Sequence, residues 1–180
     1  IQPVLMAPYS EYRRRIQSHL QLGMSALELA AGTGAHSACL CAPGVATTCT
    51  DISASSLALL QTSLESTGRA VRCVPALMES LPFPAESFDL VACAGGMSYA
   101  DPNEVDPEIQ RVLKPGGSFI CVDSLNHNPI YRLNRWAHWR LRKDRTESTL
   151  IRMPTIARMA RLGARFETWS IRDRKSTRLN

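Results

Sequence analysis

The chain has 180 residues, 44% hydrophobic and 21% charged, enough for one sizeable core, since a domain this long buries roughly 70% of the surface its unfolded chain exposes. That composition excludes a disordered, collagen-like or coiled-coil chain, and no apolar run nears the roughly 20 residues of a membrane span. The net charge of +5 hides an asymmetry: residues 1–131 hold seven Lys/Arg against twelve Asp/Glu, and residues 132–180 hold fourteen against four.

Strand-like apolar runs alternate with helical patterns, which predicts one α/β domain over residues 1–172 with a mainly parallel sheet. An amphipathic helix is expected over roughly Ser10 to Leu22, with Ile16 and Leu20 on one side. A short strand at Ala26–Leu29 runs into a glycine-rich turn, and a helix is expected from about Ala35. The second strand, Ala46–Thr50, ends at Asp51. Ser53 is a natural N-cap for the next helix, and Gly68 closes that helix as a C′ glycine. Strand three is expected at Val71–Val74. Strand four, Phe88–Cys93, is entered through Pro82-Phe83-Pro84, where two prolines prevent a helix. A helix around Glu104–Leu113 ends at Lys114-Pro115-Gly116-Gly117, and strand five is Ser118–Val122.

After Asp123 the pattern changes. Residues 128–163, rich in Arg, Trp and Leu, read as two helical pieces, and Arg165–Ile171 as a sixth strand. The final DRKSTRLN, residues 173–180, matches nothing before it and is expected to be a non-native tail, like the translated read-through of a sequencing adapter. Without it the net charge is +3. The chain opens on Ile1 with no charged-then-apolar leader, so no signal peptide is visible. Cys49, Cys73, Cys93 and Cys121 sit inside strand-like runs, where Cys behaves as a small hydrophobe. Neither Cys-x-x-Cys nor a His/Cys zinc spacing occurs, so no metal is expected, and a reducing, cytoplasmic setting is.

The most informative stretch is Leu27-Glu28-Leu29-Ala30-Ala31-Gly32-Thr33-Gly34, between a strand and an expected helix. Its two glycines let the backbone turn sharply and approach a ligand, and the expected helix would present free N–H groups there. Nucleotide cofactors lie at the carboxyl ends of such strands. Asp51, 17 residues after Gly34, is well placed to accept from two ribose hydroxyls. This pairing also serves NAD. Two details weigh against NAD: Ser37 stands where the third glycine of G-x-G-x-x-G belongs, and Glu28 would meet a pyrophosphate badly but an ammonium well.

Four blocks carry a family resemblance: LELAAGTG at 27–34, TDIS at 50–53, ESLPFPAESFDLV at 79–91 and RVLKPGGSFICVD at 111–123. With them, from about Tyr9 to Ile171, the chain resembles the class I S-adenosylmethionine-dependent methyltransferases, in particular the type 11 methyltransferase domain. The resemblance implies a Rossmann-like three-layer α/β sandwich, here with its C-terminal strand missing. It implies S-adenosylmethionine as cofactor, S-adenosylhomocysteine as product, and methyl transfer by in-line displacement to a small-molecule acceptor.

The same resemblance implies that Ala30, Gly32 and Gly34 form the turn under the cofactor, with Glu28 near its methionine end. Asp51 would hold the ribose and Ile52 would pack on the adenine. Met78 and Glu79 would flank the adenine edge, and Ala94 and Gly95 would approach the methionine part by backbone. Many relatives carry an Asp two residues before Glu79; here that position is Leu77. An aligned sulfonium needs little further catalysis, but a hydroxyl acceptor calls for a base, for which Tyr99, Asp101 and His127 are the candidates. His36 could face the cofactor pocket.

Trp136, His138, Trp139 and Arg140 fit a helix packed over the active site. No nucleic acid or membrane partner is expected. The alternatives are an RNA or protein methyltransferase, for which the basic second half speaks, and an inactive cofactor-binding fragment whose incomplete sheet leaves an edge unpaired.

Overall fold

The computed structural model describes residues 3–125 and 152–172, with the side chains of residues 3–7 left out. It divides into two compact units, residues 1–96 with 100–122, and residues 97–99 with 123–180.

The first unit holds a five-stranded, all-parallel sheet. Its strands are β1 (Ser25–Leu29), β2 (Ala46–Asp51), β3 (Arg72–Pro75), β4 (Phe88–Ala94) and β5 (Leu113–Val122). The order across the sheet is β3-β2-β1-β4-β5, so the chain steps one way from β1 and the other way from β4. Right-handed crossovers in opposite directions put their connecting elements on opposite faces. Thus α2 (Ala54–Glu65) and α3 (Pro102–Val112) lie on different sides. The N-terminal helix α1 (Pro3–His19) shares the α2 side. Its Tyr12 and Ile16 pack with Ala26, Leu90 and Ala92 in one cluster, while Leu57, Leu60 and Leu64 of α2 cover Cys49. These are the three layers that the sequence predicts.

Local chemistry accounts for each element. Ser53 caps α2 by accepting from Ser56 N–H, and Leu57, Leu60 and Leu64 form its buried stripe. Asp101 caps α3 by accepting from Asn103 N–H, with Pro102 in the first turn, where its missing N–H costs nothing. Val105, Ile109 and Val112 are its inward face. The Pro82-Phe83-Pro84 approach to β4 is held from α3. Arg111 donates to the carbonyls of Phe83 (2.7 Å) and Leu81 (3.0 Å), and Glu108 accepts from Leu81 N–H (2.8 Å).

Asp89 ties together the amino ends of β1, β4 and β5. Its Oδ2 accepts from Ser25 N–H, Ser25 Oγ and Lys114 Nζ, each at 2.8 Å. Burial pushes this carboxyl up, but the Lys114 ammonium and the Ser25 donors outweigh it and hold its pKa at about 2.

Three expectations are corrected. The helix expected from about Ala35 is a single 3-10 turn over Ser37–Cys39, because Pro43 and Gly44, the latter at φ +72°, return the chain to β2 before a second turn can form. Strand five starts at Leu113 rather than Ser118. Leu113 pairs with Phe88, and the register slips before Ser118 pairs with Leu90, so the Lys114–Gly117 segment lies inside β5.

The third correction falls in the second unit, where α4 (Ile156–Gly163) is capped by Thr155, which accepts from Arg158 N–H. Arg165–Ile171 forms no strand; Ile171 alone sits in a bridge. The chain folds back after α4 through Arg165 N–H to Leu162 (3.1 Å) and Phe166 N–H to Gly163 (2.8 Å). The Trp169 indole then closes over Gly163, where an added Cβ would meet it at 2.8 Å. Also in this unit, buried Arg158 donates to the Met97 carbonyl (3.2 Å) and Asp123 accepts from Met97 N–H (2.9 Å).

Among the described residues no helix is long and apolar enough to cross a membrane, no His/Cys/Asp/Glu group could hold a metal ion, and no cysteine is in a disulfide.

Candidate cofactor site

The candidate site lies in the first unit, along the carboxyl ends of β1, β2 and β4. After Leu29 the backbone takes left-handed values at Ala30 (φ +50°), Gly32 (φ +54°) and Gly34 (φ +89°). Gly34 also needs its missing side chain, since a Cβ there would lie 2.8 Å from Leu60 Cγ. Ala30 accepts a conformation that costs an L-residue about 1 kcal/mol. No α-helix follows the turn, so the donors at the site are backbone N–H groups of the turn rather than a helix N-terminus.

Asp51 is the organising side chain. Its Oδ2 accepts from Gly32 N–H (2.9 Å) and its Oδ1 from Ser53 N–H (2.9 Å). Both oxygens are thereby aimed, and each keeps a lone pair for a further donor. Next to it Ile52 is 73% exposed, and Leu77, beyond β3, is 57% exposed. Two bare apolar side chains beside an oriented carboxylate suit a flat ring attached to a diol.

The other predicted residues are less uniform. Met78 is buried, with its Sδ 3.7 Å from where a Gly96 Cβ would sit. Glu79 Oε1 accepts from Asp101 N–H (3.0 Å), so it links the post-β3 segment to the start of α3. Ala94 ends β4, and Gly95, at φ +77°, donates to the Val122 carbonyl (2.8 Å). Asp101 uses Oδ1 to cap α3. Tyr99 belongs to the second unit; its side chain is 65% exposed and its carbonyl accepts from Arg152 (3.4 Å). His127 and the Trp136–Arg140 stretch lie outside the described residues.

Beneath the turn, on the α1 side of the sheet, Glu28 is 2% exposed. Burial raises its pKa to about 7, and the Ser37 and Cys49 side chains beside it offset only part of that rise. His36 stacks on Tyr9 with ring centroids 4.6 Å apart and meets Tyr12 edge-on at 6.2 Å. Burial, then the Arg13 charge, lowers the pKa of this imidazole. Neither Tyr12 nor Ser37 is among the expected site residues. Tyr12 is legible as the residue four before Ile16 on the inward face of α1, whereas Ser37 enters the sequence pattern only as a missing glycine.

The residues fit an S-adenosyl ligand. The turn is a cradle that a Cβ at Gly34 would disrupt, Asp51 is aimed, and the buried atoms Tyr12 Oη and His36 Nδ1 have no hydrogen-bond partner among the described residues.

Residues 27–121 match the family model described as a methyltransferase domain. The chain belongs to this family. Its sheet order and its four motif blocks make it a class I methyltransferase domain. It is 36% identical over 121 residues to the ubiquinone/menaquinone biosynthesis C-methyltransferase of Hahella chejuensis, covering 63% of this chain and 49% of the relative. It is 38% identical over 112 residues to the demethylmenaquinone methyltransferase of Clavibacter sepedonicus, covering 61% and 45%. The chain thus spans about half the length of the curated relatives it matches. Among solved structures, the YcgJ protein of Bacillus subtilis superposes with a TM-score of 0.71 at 20% identity over 91% of this chain and 73% of that one. A methyltransferase-like protein of Bacillus halodurans gives 0.70 at 23% identity over 87% and 68%. At these identities the two structures bear on the fold alone.

Proposed function

We propose that this chain binds S-adenosylmethionine along the carboxyl edge of β1, β2 and β4 and directs its methyl group to a small-molecule acceptor. The observation that carries the reading is Asp51, whose two oxygens are oriented by Gly32 and Ser53 N–H at 2.9 Å beside the glycine turn. In this reading Asp51 accepts from the ribose hydroxyls, Ile52 and Leu77 cover the adenine, and Glu28 answers the ammonium of the amino-acid part. Gly95 N–H is committed to Val122, so a backbone contact from that position falls to its carbonyl. When bound, the cofactor supplies a methyl group on a sulfonium, already a good leaving group. The protein's part is then to align the partners and exclude water.

Relatives named for ubiquinone, menaquinone and demethylmenaquinone support a quinone-type ring as the first acceptor class to try. Of the described base candidates, Tyr99 has the exposed side chain, while Asp101 is engaged as a helix cap. Tyr99→Phe is therefore the variant to assay once an acceptor is found.

Calorimetric titration with S-adenosylmethionine, S-adenosylhomocysteine and NAD tests the cofactor. Binding of the two adenosyl sulfur compounds and not NAD is expected; binding of NAD alone would sink the reading.

A further inference from the structure

Glu28 is a buried carboxyl with no cation of its own. Among the described residues no Lys, Arg or His forms an ion pair with it, and it is 2% exposed. The side chains that face it are neutral, element by element. From α1 comes Tyr12, whose hydroxyl burial pushes far above its usual range. From the 3-10 turn come Ser37, whose hydroxyl hydrogen-bonds it, and Cys39, its thiol pushed by burial up to about 12; just beyond the turn comes Cys41, its thiol also raised, chiefly by burial. From β2 comes the Cys49 thiol, 3.5 Å from Glu28 Oε2 and also raised, chiefly by burial. His36, against Tyr12, has its pKa lowered by burial and then by the Arg13 charge.

A buried carboxylate with neutral hydrogen-bond donors but no cation is disfavoured, and it either takes up a proton or acquires a positive partner. The orphaned atoms near it, Tyr12 Oη and His36 Nδ1, mark the same place as incomplete. Buried polar atoms are normally satisfied by protein, water or ligand.

We propose that Glu28 is a proton-linked counter-ion: a ligand that brings an ammonium group under the glycine turn drives the proton off this carboxyl, and a ligand without one leaves it in place. This rests on the cofactor reading above. The exchange balances simply. The carboxyl O–H gives its proton to the buffer, the ammonium–carboxylate pair forms, and no covalent bond of the ligand changes. Cofactor affinity is thereby coupled to pH near neutrality, and the amino-acid end of the ligand is the part that senses it.

The probes are S-adenosylhomocysteine, which carries the α-ammonium, and 5′-methylthioadenosine, which has the same nucleoside without it. Each is titrated calorimetrically into the full chain at pH 5.5 and 7.5, in two buffers of different ionisation enthalpy so that released protons are counted. S-adenosylhomocysteine is expected to bind roughly tenfold or more tighter at pH 7.5 and to release up to one proton at the lower pH. Methylthioadenosine is expected to bind equally at both, and Glu28→Gln to remove the pH dependence of S-adenosylhomocysteine binding while leaving methylthioadenosine binding intact. If S-adenosylhomocysteine binds independently of pH without releasing a proton, or the dependence survives in Glu28→Gln, the proposal is wrong and the cofactor reading stands. Binding of neither nucleoside overturns both. The proton count on the unsubstituted chain decides the matter even if the variant folds poorly.

Discussion

The Asp51 carboxylate accepts the backbone N–H of Gly32 at 2.9 Å, which makes the end of β2 and the turn after β1 a single hydrogen-bonded unit. A residue proposed to hold the ribose thus also holds the loop on which the rest of the ligand sits. Orienting both carboxylate oxygens before the ligand arrives lowers the ordering cost of binding.

Replacing Asp51 therefore acts twice. Asp51→Ala removes the acceptors of two backbone N–H groups, Gly32 and Ser53, and is expected to cost about 1–3 kcal/mol of stability as well as S-adenosylhomocysteine affinity. Asp51→Asn keeps one carbonyl acceptor and should lose less stability while still losing affinity. Urea unfolding alongside calorimetry separates the two effects, and equal stability for Ala and Asn variants would contradict the structural half of the role.

Gly34→Ala combines an unfavourable φ of +89° with a Cβ 2.8 Å from Leu60 Cγ. A loss of about 1–3 kcal/mol is expected. Adding Leu60→Ala removes the overlap but not the backbone strain, so the double variant should recover less of the Gly34→Ala penalty than a pure clash would allow. A double-mutant cycle by denaturant unfolding reads this directly.

Glu28 makes stability depend on pH. Its folded pKa, about 7, lies above the ordinary 4.5, so the folded state holds the proton more tightly. That contribution is fully present below pH 4.5 and is lost as pH rises through 7. Glu28→Gln should accordingly be more stable than the parent above pH 7, by on the order of 2–3 kcal/mol, with the gap closing towards pH 4.5. Ligand-free melting curves from pH 4.5 to 8 check it, and a gap that widens on acidification would contradict the assignment.

Asp89 has the opposite sign. Its pKa is held at about 2 against an ordinary 3.8, so its contribution exists above pH 3.8 and disappears as pH falls through 2. Lys114 is 40% exposed in this pair, so solvent screening limits the effect of Asp89→Asn to about 1 kcal/mol at pH 6. The difference between parent and variant in urea midpoint should shrink to nothing near pH 2.

Much of the site was legible because its signals are local. A backbone that must visit positive φ calls for glycine, and Gly32 and Gly34 announce the turn. Ser53 and Asp101 announce helix starts by offering a side-chain oxygen to the next N–H groups. The expected helix after Ala35 overlooks a local stop, since Pro43-Gly44 leaves too short a segment before β2. The strand expected over Arg165–Ile171 fails for a different reason: the Trp169 indole lies over Gly163 and the segment turns back, which is packing rather than propensity.

The sequence by itself determined the parallel strands, the glycine turn, the acidic end of β2 and the family, since each rests on residues close together in the chain and on the two-residue or 3.6-residue periods of strands and helices. Only the tertiary structure decided what surrounds Glu28 and what Asp51 holds. Tyr12 lies 16 positions from Glu28 and Gly32 lies 19 from Asp51. No short-range pattern encodes such pairings. The charge state of a buried carboxyl follows from the neutrality of everything folded against it, and that is a property of the assembled core.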